Sequence, residues 1–262
     1  MDYWLFDSHV HLYKCFDLSL LLSKALENAK ALVNTQDGEN LTLFLGIAST
    51  AKETQWSELV ALAEDGKQLS GAGGDWQLGL ANDSSLLRAE AGGAQIYLVP
   101  GQQINSSEGL ELILMGAETP KVDASKTLAW HLDANPNHLN IVPWGVGKWL
   151  GKRGQVVLDL VASDRQGYVL GDNGGRPALW SKVKPFDVYR AQSMQALPGT
   201  DPLPIAGEEA AVAKNAVGLR VDKGQEPSFS ALQSALESSS LDTFHSAASL
   251  FGFIRNQLLI RM

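Results

Sequence analysis

The chain predicts an α/β protein: a single, distorted TIM-like β/α barrel of seven or eight mostly parallel strands spanning residues 1–262. Three observations lead there. Short apolar runs alternate with longer stretches of helical periodicity, the pattern of βα units and a parallel sheet. The number of strand-like runs suits a closed barrel better than the alternative, an open doubly wound sheet. The length of 262 residues is ordinary for one such barrel, and no repeat, low-complexity tract or linker divides the chain.

The elements follow in order. Tyr3 to Val10 reads as a first strand. Asp17 stands as the N-cap of a helix whose apolar positions, Leu18, Leu21, Leu22, Ala25, Leu26, Ala29, Leu32 and Val33, recur at helical spacing. Gly38 breaks the chain before a strand over Leu41 to Ala48, and Glu53 to Glu64 is helical. Asp65 to Asp75 is glycine-rich and expected to be a loop. Strands are expected at Trp76 to Leu80, at Gln95 to Ile104 with an interruption at Pro100-Gly101, at Leu110 to Met115, at Leu139 to Pro143 and at Tyr168 to Leu170. Helices are expected at Asp123 to Leu132, Lys152 to Ser163 and Glu208 to Lys214. Phe186 to Tyr189 and Gln195 to Leu197 are strand-like or irregular, and Ala216 to Val221 is a strand. Two terminal helices close the prediction, Ser228 to Glu237 and Leu241 to Arg261.

Composition narrows the function. Hydrophobic residues make up 45% and charged residues 19%, enough for a sizeable core. The net charge of −8 disfavours phosphate backbones, so a small-molecule substrate is expected rather than nucleic acid. A single cysteine, Cys15, excludes an intrachain disulfide and lacks an adjacent base, so a thiol nucleophile is not expected. The start of the chain shows no basic region followed by an apolar run. No apolar stretch approaches ~20 residues, so no membrane partner is expected. A cytoplasmic location is the expectation. The sequence gives no oligomeric state.

Four motifs could carry chemistry. The first is Asp7-Ser8-His9-Val10-His11. Strand side chains alternate, which would put Asp7, His9 and His11 on one face. Two imidazoles so spaced can bind one divalent ion while a neighbouring carboxylate orients one ring or completes the shell. They sit at the carboxyl end of the first strand, where barrel active sites form. A pair of hydrogen-bonded histidines in a polar barrel mouth is the alternative. The second motif, Leu197-Pro198-Gly199-Thr200-Asp201-Pro202, offers Asp201 as a metal ligand or general base, or else a plain turn. The third, Pro143 to Gly154, combines Lys148, Lys152 and Arg153 with Trp144 and Trp149 between a strand and a helix. It is read as an anion or substrate site, against solvated cations and packed tryptophans. The fourth, Gly171-Asp172-Asn173-Gly174-Gly175-Arg176-Pro177, offers Asp172 and Arg176 as substrate contacts or a surface loop. His131, His138 and His245 lie in expected helices or before a strand and are weaker candidates.

With these residues the chain resembles the metal-dependent hydrolases with distorted barrels, the amidohydrolases and the PHP family (polymerase and histidinol phosphatase). The resemblance rests on His9-Val10-His11 after the first strand, on Gly199-Thr200-Asp201, which is similar to a late Gly-Ser-Asp, and on Val99 to Leu112. It implies His9, His11 and Asp201 as metal ligands. Gln103 stands where a PHP member carries a ligating Glu, Pro202 and Leu203 follow Asp201 where another His is usual, and the lysine that bridges two metals has no counterpart. One divalent ion, zinc or manganese, is therefore expected rather than several. The expectation is a metal-dependent hydrolase of a phosphate ester or other small anionic substrate. Asp201 and Asp7 would be catalytic, and Lys148, Arg153, Trp144, Asp172 and Arg176 would contact substrate. The alternative is a non-catalytic small-molecule binding protein on a degenerate hydrolase barrel. A structural role is the third reading, with Leu250, Phe251, Phe253, Ile254, Leu258 and Leu259 as an apolar helix face.

Overall fold

A computed structural model describes residues 1–33, 40–83, 85–145, 147–163, 165–174, 176, 182–238 and 240–245. Its organising element is a mixed sheet. In chain order the strands are β1 (Asp2–Val10), β2 (Leu41–Ser49), β3 (Gln68–Gly71), β4 (Gly74–Leu80), β5 (Leu87–Ala91), β6 (Ala94–Asn105), β7 (Glu111–Met115), β8 (Leu139–Pro143), β9 (Val169–Asn173), β10 (Leu197–Gly199), β11 (Ala216–Val221) and β12 (Asp242–Phe244). The described helices are α1 (Leu18–Leu32), α2 (Gln55–Glu64), α3 (Leu128–Ala134), α4 (Gly151–Ala162), α5 (Lys184–Ala191) and α6 (Phe229–Ser238), with a 3-10 turn at Glu208–Ala211.

Nine strands follow one path, β10-β9-β8-β7-β6-β2-β1-β11-β12. The pairs β1–β2, β2–β6, β8–β9 and β9–β10 are parallel, whereas β7 and β11 run against their neighbours. The sheet is thus a nearly closed, barrel-shaped α/β sheet of mixed direction, not the mostly parallel TIM-like barrel expected. The departure is local. β7 follows β6 across a five-residue return, Ser106 to Leu110, in which Gly109 takes φ +73°, too short for the crossover helix that a parallel partner needs.

Four other expectations change. The glycine-rich stretch is not a loop: β3, β4 and β5 form an antiparallel meander continuing into β6. Gly92 and Gly93, both at positive φ, make the two-residue hairpin turn that only such residues accept readily. Phe186 to Tyr189 lies in helix α5, started by Pro185 in its first turn, and β6 runs unbroken through Pro100-Gly101. The expected helix from Leu241 begins as strand β12, and its remaining residues lie outside the described ones. Asp17 caps α1 as its type predicts, accepting from the Ser19 and Leu20 amides.

The core is layered. Trp4, Phe6, Phe44, Val99, Ile113, Ile141, Val217 and Leu219 pack inside the curve of the sheet, with Phe229 and Leu232 of α6 against them. Leu5, Val10, Leu12, Leu43 and Leu45 face α1 and α2 on the outside. Val142, Trp144, Trp149, Val157, Leu170 and Phe186 form the outer layer under α4 and α5.

Closure happens at β1. Its first half, Asp2 to Phe6, pairs with β11. Beyond Phe6 the place beside it is taken by β10: the Ser8 hydroxyl donates to the Pro198 carbonyl at 2.9 Å, and the Asp201 amide donates to the His9 carbonyl at 2.7 Å. Gly199 permits this approach, since a Cβ there would lie 2.6 Å from His9 Cβ and 2.9 Å from its amide nitrogen. Gly199→Ala is expected to cost about 1–3 kcal/mol, the range for overpacking a tight contact. Chemical unfolding would measure it, and a change below about 0.5 kcal/mol would contradict the close packing.

Candidate metal centre

The directions of β1, β2, β6, β8, β9 and β10 bring their carboxyl ends to one end of the barrel. Glu111 joins them there as the first residue of the reversed strand β7. This is the end where His9, His11, Asn173 and Asp201 meet.

A register shift makes the first contribution. Asp7 pairs with Leu45 but Val10 with Ile47, so three steps on β1 match two on β2. The bulge reverses the alternation. Leu5 faces the outer layer and Phe6 the interior, yet after the bulge Val10 and Leu12 face outward. His9 and His11 therefore turn inward, and Asp7 does not share their face. This corrects the expectation of a common face and of a catalytic Asp7. The fully buried Asp7 carboxylate instead accepts from the Thr200 amide (2.8 Å), the Thr200 hydroxyl (2.5 Å), the Ala213 amide (2.8 Å) and the His9 amide (3.3 Å). It ties β1 to the segment after β10. Burial pushes its pKa up to about 6, with the four donors working against that rise.

The imidazoles are oriented from behind. Asn173, at the end of β9, donates its amide nitrogen to the Trp144 carbonyl (2.7 Å) and to Asp201 Oδ2 (2.8 Å). Its Oδ1 is thereby turned to His9 Nδ1 at 3.1 Å. Glu53, past the end of β2, lies 3.2 Å from His11 Nδ1, and the Thr50 hydroxyl holds it at 3.0 Å. Tyr13 stacks on His11, with ring centroids 5.2 Å apart. Both Nδ1 atoms face acceptors, an arrangement that favours the tautomer with the proton on Nδ1 and the lone pair on Nε2.

Those lone pairs converge. The two Nε2 atoms are 3.1 Å apart, and Asp201 Oδ1 lies 3.5 Å from His9 Nε2 and 3.7 Å from His11 Nε2. A single point lies roughly 2 Å from all three donors, the bond length of zinc to nitrogen or oxygen. Three protein donors leave a coordination position open, as in catalytic rather than structural zinc sites. Asp201 reaches the cluster from a left-handed backbone, φ +48°, a conformation that Asp tolerates better than most residues. Burial pushes the His9 pKa down. Burial also pulls on His11, but the Glu53 hydrogen bond and the nearby carboxylates of Asp201, Glu53 and Glu111 outweigh it, and its pKa moves up.

The expected substrate contacts are placed differently. Trp144 lies in the outer layer, and its carbonyl, not its ring, reaches the centre. Asp172 and Arg176 pair with each other at 2.6 Å, and the guanidinium sits over Phe186 of the outer layer. Strand alternation turns Asp172 outward and Asn173 inward, so the motif held a site residue but not the pair expected. Arg153 donates to the Gly147 carbonyl at 2.8 Å. Lys148 does lie at this end, 3.1 Å from Glu111 Oε1. Glu53 and Glu111 gave no signal in the sequence, since each stands alone far along the chain from the residues it meets, and Tyr13, two residues past His11, carries no motif of its own. Glu53→Gln is expected to weaken zinc binding about 10–100-fold, the usual effect of losing a partner behind a ligand. A competitive chelator titration checks it, and unchanged affinity would remove Glu53 from the centre.

Fold and cluster together define an α/β protein with a mixed, nearly closed barrel and a His-His-Asp group at its strand ends. The chain is similar to the solved structure titled "Crystal Structure of PsfC from Pseudomonas syringae PB-5123", with a TM-score of 0.57 and 12% identity, over 100% of this chain and 99% of that one. The similarity supports the architecture alone. No protein-family model and no curated protein matches the sequence. No helix among the described residues is long and apolar enough to cross a membrane.

Proposed function

We propose that the protein is a metal-dependent hydrolase acting on a small molecule in the cytoplasm, with one zinc or manganese ion held by His9, His11 and Asp201. One observation carries this reading: two imidazole lone pairs, each fixed by an acceptor on its other nitrogen, face one another 3.1 Å apart beside a carboxylate. Three converging acceptors call for a positive charge between them. A bound divalent ion would lower the pKa of its water toward neutrality and supply a nucleophile. Asn173 and Glu53 hold the rings in their tautomers. Asn173 also fixes Asp201 through its amide, leaving Oδ1 toward the cluster.

The experiment is metal analysis of protein purified without chelator, then zinc titration of the metal-free form and of the His9→Ala/His11→Ala double variant. About one equivalent in the wild type and none in the variant is the expected result. Equal uptake by both, or none by either, removes the reading.

A specific observation favours a second reading, a binding protein without turnover. Two cavities lie away from the cluster. One, of about 710 Å³, is lined by His138, Tyr168 and Tyr189 near the amino ends of β8 and β9. The other, of about 360 Å³, is lined by Trp144, Trp149, Lys182 and Lys184. Thermal stabilisation by sugars, nucleotides or phosphate esters that needs no metal, in a protein inert toward ester and amide substrates, would favour it.

A further inference from the structure

The charges around the cluster limit what can dock there. Glu53 is committed to His11 and Asp201 to the cluster itself. Glu111 adds a third carboxylate. On β7 it shares the inward face of Ile113 and Met115, which lie inside the barrel, and its charge favours the protonated form of both imidazoles. Of the cations that the sequence offers for an anionic substrate, Lys152 is exposed on α4 and three others are engaged. Arg176 is paired on the outer layer, Arg153 is turned to a loop carbonyl, and Lys148 is held by Glu111.

The Glu111–Lys148 pair is built into the loop that follows β8. A Cβ at Gly145 would lie 2.8 Å from Lys148 Cγ and 3.2 Å from Glu111 Oε2, so the bare backbone is what lets the loop pass the two side chains. Both are largely shielded, with 32% of the Lys148 and 20% of the Glu111 side chain exposed, and a charge contact in that setting is screened less than one in open solvent.

We propose that the Glu111–Lys148 pair is a charge filter at the mouth of the metal centre. By occupying Lys148, Glu111 denies an incoming phosphate its counter-charge and adds like-charge repulsion. The site therefore selects an uncharged polar group, such as an amide or ester carbonyl, over a phosphate ester. This rests on the metal-centre reading above. It also reverses the anionic substrate that the run of Lys148, Lys152 and Arg153 implies on its own.

The test uses the full chain loaded with one equivalent of zinc and desalted, titrated with inorganic phosphate by calorimetry. The variants are Glu111→Gln, Lys148→Met and the pair combined. Glu111→Gln is expected to tighten phosphate binding about tenfold, the scale of one partly shielded charge contact. Lys148→Met alone should weaken it, because the Glu111 charge is then unopposed, and the double variant should return close to the wild-type value. A misfolded variant would lose phosphate binding, whereas the filter predicts a gain in one variant and its reversal in the other. Submillimolar phosphate binding by the wild type, or no gain in Glu111→Gln, overturns the proposal. So does loss of zinc from Glu111→Gln, which would make Glu111 a ligand. Failure of the wild type to take up zinc appears before phosphate is added, and marks failure of the metal centre instead.

Discussion

Zinc affinity is expected to fall more than about a hundredfold in His9→Ala and in His11→Ala, beyond the 10–100-fold loss typical of residues that only orient a ligand. The argument is geometric. Each ring presents Nε2 because its Nδ1 is engaged, His9 by Asn173 and His11 by Glu53. Removing either ring takes away one of three donors and leaves a pair that cannot surround the ion. Asn173→Leu belongs to the lesser class, since it frees the His9 ring and Asp201 without deleting a donor. Zinc should also stabilise the fold: a single site at a free concentration of 100 times its Kd adds about 2.7 kcal/mol. That increment should be absent from both His variants. Acid should weaken binding, because protons compete for the Nε2 lone pairs. His11, whose pKa is raised, takes up the first proton as pH falls, and His9, whose pKa is lowered, the second. Calorimetry in buffers of different ionisation enthalpy would show proton release on zinc binding. Wild-type affinity in His11→Ala would end the assignment.

Asp7→Asn is expected to destabilise the protein by about 2–4 kcal/mol near neutral pH, although Asp7 offers no donor to the metal centre and meets it only at the His9 backbone amide. The carboxylate accepts from three amides and one hydroxyl in a fully buried position. An Asn side chain keeps one acceptor oxygen and turns an NH2 group toward donors, leaving buried amides unpaired. The pH dependence has a definite sign. In the fold the pKa is pushed up to about 6, above the 3.8 of an ordinary aspartate, so folding takes up a proton between those values. The Asp7 contribution to stability is therefore largest below about pH 4 and declines as pH rises toward 6. Above that it is constant, with a total change of roughly 3 kcal/mol. Asp7→Asn lacks this titration. Urea unfolding of both proteins at matched pH isolates it, since other groups titrate alike in each. The wild-type advantage should shrink from pH 4 to pH 6. An advantage independent of pH would show that the four donors already hold Asp7 ionised throughout.

Much of the candidate site was legible in particular residues. His9 and His11 stand two apart at a strand end, and Asp201 follows a glycine at the end of a later short strand, so all three could be named. Asp7 was misplaced because strict alternation was assumed where β1 carries a bulge, and a bulge leaves no mark in so short a run. Asp172 and Asn173 are neighbours in the sequence, and only the alternation of β9 turns Asp172 to Arg176 on the outer layer and Asn173 to His9. Glu53 and Glu111 belong to the centre only through pairings of β2, β6 and β7 that no local pattern encodes.

The sequence by itself determined what local physics governs: apolar runs of strand length, the periodicity of α1, its Asp17 cap, and a histidine pair where a strand gives way to a loop. Only the tertiary structure decided the directions of β7 and β11, the meander before β6, the inward turn of His9 and His11, and the company that Asn173, Glu53 and Glu111 keep there. Spacing and capping depend on neighbours within a turn or two. Strand direction, register and the meeting of residues some 190 positions apart depend on how the whole sheet closes, and that closure runs through Gly199 lying flat against His9.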